Sequence, residues 1–173
     1  MIRSRPTEDE QRREIDDDSG RRELLRRVRI GAAGGLVATV VMTAFRLPIS
    51  RSLPPTDEFW RRYVHRDGSG SATLPALLLH LLYGAGGGVA YAILGSRLAG
   101  TDVARPSEAQ AELRGVVTAV GYSLFLSAFG QQVLLRGLLD EDLDPDEALI
   151  FHLSHVIYGI TLGAWLGSRG TPD

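Results

Sequence analysis

The chain has 173 residues, 44% of them hydrophobic, with 19 basic and 21 acidic side chains and a formal net charge of -2. It contains no cysteine, which excludes disulfides, thiolate metal centres and cysteine nucleophiles. A near-neutral charge without a basic stripe interleaved with aromatics excludes nucleic acid as a partner.

A mean hydropathy of -0.01 hides strong segregation, because residues 1–29 hold 17 of the 40 formal charges while four long runs further on hold none. Met1 to Ser19 mixes signs without apolar periodicity and is expected to be disordered, so residues 1–29 read as a cytoplasmic tail. Arg21 to Ile30 (RRELLRRVRI) alternates Arg with Leu, Val and Ile, a pattern that suits an anionic leaflet. Its plainer role is the positive flank that sets topology.

The four apolar runs are Ile30 to Phe45, Leu74 to Ser96, Gly115 to Leu135 and Ala148 to Ser168, and none contains Asp, Glu, Lys or Arg. The last three are 21 to 23 residues long, close to the roughly 20 that cross a hydrocarbon core. The first has 16 residues and can extend past a snorkelling Arg46 towards Pro48. Helices on a soluble surface need a polar face every turn, and a chain this short cannot bury four wholly apolar ones. The expected fold class is therefore all-α, an integral membrane four-helix bundle over residues 30–169, with the lipid bilayer as its first partner. With the N-terminus inside, 13 of the 19 arginines fall on the cytoplasmic side. The positive-inside rule then puts a multi-pass protein in the plasma membrane with both termini cytoplasmic.

The two halves resemble each other. His80-x-x-Tyr83-Gly84-x-x-x-Gly88 returns as His155-x-x-Tyr158-Gly159-x-x-x-Gly163, and both runs close on Leu-Gly-Ser-Arg, at Leu94 to Arg97 and Leu166 to Arg169. The preceding runs agree more loosely: Gly35 to Val40 matches Gly115 to Val120, and Thr43-Ala44-Phe45 matches Ser127-Ala128-Phe129 after a short insertion. Two tandem two-helix repeats are expected, about 30–97 and 115–169, related by an axis along the membrane normal. Small or hydroxyl residues recur every fourth position in each run, with Gly31, Gly35, Gly84, Gly88, Gly159 and Gly163 at their centres. Such stripes let helix backbones approach closely in lipid.

His80 and His155 lie four residues ahead of their glycine stripes and should face the bundle. An imidazole inside a membrane needs a partner, so His80, His152, His155, Tyr83, Tyr158 and Gln131 form the candidate polar or ion site. His152-x-x-His155 with His80 across the interface offers three nitrogen donors, suited to zinc or copper; whether a metal binds stays open. A helix-to-helix hydrogen bond to Ser, Thr or Tyr is the ordinary alternative. The acidic stretch Asp140 to Glu147, with Asp57 and Glu58, gathers negative charge at the same end, where Asp144 and Asp146 suit the start of a helix. No Gly-x-Ser-x-Gly, His-Glu-x-x-His or phosphate-loop pattern is present, so no enzyme activity and no cofactor are expected.

The phrase Gly35-Leu-Val-Ala-Thr-Val-Val-Met-Thr43, followed by Pro54-Pro55-Thr56 and the His-x-x-Tyr-Gly segments, resembles small four-helix membrane proteins of haloarchaea and bacteria, including the inner-membrane family linked to acid resistance. The resemblance implies a four-helix fold and no catalytic residue. The expected function is a non-enzymatic structural or accessory membrane component, self-associating or bound to another membrane protein. The alternative is a conduit for a small solute, a proton or a metal ion through the intramembrane histidines.

Overall fold

The computed structural model describes residues 8–49, 73–98 and 108–168. The expected loop features at Pro54 to Glu58, residues 1–7 and Arg169 lie outside the described residues. Four helices follow in chain order: α1 (Glu8–Arg46), α2 (Thr73–Leu98), α3 (Glu108–Phe129) and α4 (Pro145–Gly167). Between the last two, α3 continues without a break as a π-helical segment, Gly130–Leu139. No strand occurs among the described residues. Each of Asp17–Arg46, Leu74–Gly95, Glu112–Leu139 and Pro145–Gly167 is long and apolar enough to cross a membrane.

The first helix corrects an expectation. Helical backbone reaches back to Glu8, through most of the segment whose mixed charge gave no reason to fold. Nearer the apolar run the mixed charge supports the helix: Asp18 pairs with Arg22, and Glu23 pairs with Arg26 at 2.8 Å and Arg27 at 2.7 Å, all at helical spacings. Propagation from an already packed helix also carries no new nucleation cost.

Helix α1 packs along α2, α3 packs along α4, and α1 also packs along α4; α2 and α3 touch only sparsely. The glycines set the closest approaches. A methyl group on Gly31 would stand 2.7 Å from the Gly88 carbonyl oxygen, and one on Gly163 would stand 2.6 Å from the Val116 Cα. These are backbone-to-backbone contacts that no side chain fits between.

The partners also fix the alignment between the halves. Gly31 opposes Gly88 as Gly115 opposes Gly163, Gly35 opposes Gly84 as Ala119 opposes Gly159, and Thr39 meets Gly84 as Ser123 meets Gly159. In packing terms Gly31 stands where Gly115 does and Gly35 where Ala119 does, one helical step from the looser sequence match of Gly35 to Gly115.

The outward faces are strongly apolar, and small hydroxyl side chains join Leu135, Phe151 and Leu162 in the interior. Thr39, Ser123, Ser127 and Ser154 are buried, while Leu82 is 69% exposed and Phe125 66%. The buried hydroxyls of Thr39 and Ser154 donate to the carbonyls of Gly35 and Ile150 on their own helices.

In the π-helical segment the buried residues are Gly130, Leu135 and Leu139, nine positions over two turns. An α-helix would carry that face away from α4, and the wider turn keeps Leu135 and Leu139 against Phe151. The segment ends at Asp140 in the left-handed conformation (φ 57°), with the Glu141 N–H donating to the Leu135 carbonyl at 3.0 Å. Helix α4 then opens at Asp144, whose side chain makes no capping bond, contrary to the expected cap; Pro145 and the acids Asp146 and Glu147 in the first turn suit a helix start instead.

Candidate functional site

Tyrosine hydroxyls bridge α2 to α3 and α4, while the small hydroxyl residues sit in the α1–α2 and α3–α4 contacts. At the end of the bundle where α1 finishes and α4 begins, His80 and His155 are both half-buried. They lie within electrostatic range of each other and of Arg46, and Arg46 lies within range of Glu147 in the first turn of α4. The arrangement follows from chain order: α1 ends with Arg46, α2 brings His80 two turns after its start, and α4 brings Glu147 in its first turn and His155 two turns later.

The three histidines do not converge as the donor set expected from sequence. His152 turns to α3, where its Nδ1 lies 2.7 Å from the Ser127 hydroxyl. His155 Nδ1 lies 2.9 Å from the Phe151 carbonyl oxygen, a group that only accepts, so this nitrogen carries the hydrogen. Phe151 packs against both rings, 4.6 Å from His155 and 5.9 Å from His152 between centroids. Among the described residues no three His, Asp or Glu side chains are placed to hold a metal ion. The reason is local: at a spacing of three the two α4 imidazoles diverge towards different neighbours.

Below the histidines the phenols take over. Tyr158, 3% exposed, donates to the Gly84 carbonyl at 2.7 Å and ties α4 to α2. Tyr122 donates to the Gly87 carbonyl at 2.9 Å, and Tyr91 donates to the Gly115 carbonyl at 3.1 Å while its hydroxyl lies 2.6 Å from that of Thr118. The rings of Tyr91 and Tyr122 pack at 5.2 Å. These long side chains span the gap that α2 and α3 leave between their backbones. At the far end the Trp165 indole N–H donates to the Ile30 carbonyl at 3.2 Å, tying α4 to α1.

Tyr83 occupies the same place in its half as Tyr158, yet it is 41% exposed on the loosely closed α2 and α3 side. Gln131 is half-buried in the π-helical segment, with no hydrogen bond to a described residue; its neighbour Gln132 accepts from Arg136 at 3.4 Å. The structure therefore brings His80 and His155 within electrostatic range, places Tyr158 inward with the half-exposed Tyr83 within range of it, and turns the His152 ring to Ser127 while keeping it within range of His155.

Tyr91, Tyr122 and Arg46 were not singled out as site residues from sequence. Tyr122 sits one residue off the α3 stripe and Tyr91 two turns beyond Gly84, spacings that acquire meaning only once the α2 to α3 gap is known. Arg46 is half-buried, and its Nε has no hydrogen-bond partner among the described residues. The hydroxyls of Tyr158, Tyr122 and Tyr91 and the indole of Trp165 are committed to backbone carbonyls, which leaves His80, Tyr83, Gln131 and Arg46 with hydrogen-bonding capacity among the described residues. No protein-family model, curated protein or solved structure matches the chain.

Proposed function

We propose that the chain is a multi-pass component of the plasma membrane, both termini cytoplasmic, that acts as a non-enzymatic structural or accessory subunit. The observation that carries this reading is the outward apolar surface of four membrane-length helices, with Leu82, Phe125, Val117 and Leu149 exposed while glycines and small hydroxyl residues sit at the helix contacts. Most of the inward polar groups serve helix-to-helix or helix-internal bonds, the behaviour of a scaffold. The similar packing of α1 on α2 and α3 on α4 supports a duplicated hairpin, and four membrane-length helices among the described residues are compatible with the resemblance to the small haloarchaeal and bacterial families. Partners of this subunit would be a second copy or another membrane protein.

The test uses the full chain in proteoliposomes. His80→Ala and His155→Ala are expected to lower thermal stability in detergent while wild-type and variant vesicles hold an imposed pH gradient equally well. A second reading rests on one specific observation, the His80, His155, Arg46 and Glu147 cluster, which fits a proton or ion conduit entered from the acidic α3 to α4 connection. Wild-type vesicles that dissipate the gradient, with loss of the leak in His80→Ala, would replace the first reading by the second.

A further inference from the structure

The α1 extension sorts its charge by distance from the apolar region. Residues 8–18 carry seven acids and two arginines, whereas residues 21–29 carry five arginines against the single acid Glu23. At about 1.5 Å per residue, Arg21, Arg22, Arg26, Arg27 and Arg29 all lie within about 14 Å of Ile30 along the helix. The headgroup zone on each side of a bilayer core is about 5–8 Å deep, and an Arg side chain reaches back several ångströms more. Arg22, Arg26 and Arg29 share one face at spacings of four and three, and all three are exposed, Arg22 by 79% and Arg26 by 54% of its side chain. Leu25, 46% exposed, borders this face on the side of Arg29.

We infer that this face is a docking collar for anionic phospholipid headgroups, with Arg22, Arg26 and Arg29 holding phosphate. The inference rests on the membrane reading of the four helices and holds for either orientation of the chain. Charge complementarity selects the occupant: guanidinium forks match phosphate oxygens, and the acidic stretch beyond Arg21 is repelled by the same leaflet, so the helix stands away from the surface rather than lying on it. Two carboxylates oppose the collar: Asp18 pairs with Arg22, and Glu23 engages Arg26 and Arg27. The Glu23 carboxylate holds Arg26 through two nitrogens, at 2.8 and 3.0 Å, and Arg27 at 2.7 Å. It occupies donors that a phosphate would otherwise take.

The full chain is reconstituted in phosphatidylcholine vesicles carrying either spin-labelled phosphatidylglycerol or spin-labelled phosphatidylcholine, and the protein-bound fraction of each label is read by electron paramagnetic resonance. Resistance to alkaline extraction, measured on the same vesicles, reports membrane insertion separately. Wild type should prefer phosphatidylglycerol, on the order of fivefold per engaged arginine at low salt. High salt should weaken the preference. Arg22→Gln/Arg26→Gln/Arg29→Gln should abolish it, and Glu23→Gln should raise it above wild type. A positive flank that only sets topology would not respond to Glu23→Gln. Equal binding of the two labels by an inserted wild-type chain, or a preference unchanged in both variants, overturns the proposal.

Discussion

Glycines of the same composition do opposite work in this chain, and single residues separate them. A methyl group on Gly86 meets nothing within 4 Å, whereas on Gly88 it would stand 2.7 Å from the Gly35 Cα. Gly86→Ala should therefore be neutral or raise thermal stability by up to about 1 kcal/mol through helix propensity. Gly88→Ala forces the two backbones apart and should cost about 1–3 kcal/mol. Thermal unfolding in detergent, monitored by helical circular dichroism, distinguishes them; equal effects would mean that α1 and α2 do not meet at their glycines. At the phenols, Tyr158→Phe removes a bond to the Gly84 carbonyl while keeping the ring, and should lower stability by about 1 kcal/mol. Tyr83→Phe removes a hydroxyl with no hydrogen bond to a described residue and should change stability little, although the two tyrosines occupy matching places in the two halves.

Among the elements, the apolar runs were legible because a run without charge over about 20 residues has few structural meanings. The inward turn of the stripes was legible for the same kind of reason, since a spacing of four defines a face. What could not be read was anything set by contact between elements. The divergence of His152 from His155 depends on Ser127 and Phe151 lying where they do, and the registration of Gly31 with Gly115 emerges only from the glycines that oppose them. The π-helical segment was equally hidden: its sequence is compatible with plain α-helix, and the wider turn answers to Phe151 on α4. Truncating that contact with Phe151→Ala should release Leu135 and Leu139 and let the segment relax towards α-helical register. Distances between spin labels at Leu124 and Leu138 should then lengthen, since an α-helix rises more per residue than a π-helix; an unchanged distance would show that the segment is set by its own sequence.

For the molecule as a whole, the absence of cysteine is an experimental convenience. Gly20→Cys and Glu141→Cys each place one thiol in exposed surroundings on opposite sides of the apolar region. With cytoplasmic termini, an impermeant maleimide on intact cells should label Glu141→Cys at once and Gly20→Cys only after lysis; the reverse pattern would invert the topology. Helix α1 has 39 residues without a break, about 58 Å at 1.5 Å per residue, nearly twice a hydrocarbon thickness of about 30 Å. It meets α2 through glycine backbones, and it meets α4 through Gly34, which lies under the Trp165 ring. There is no hinge between its charged outer third and those two contacts. The charged outer third is thus one continuous helix with the segment that touches both α2 and α4, so a partner that grips it holds a handle covalently joined to both contacts.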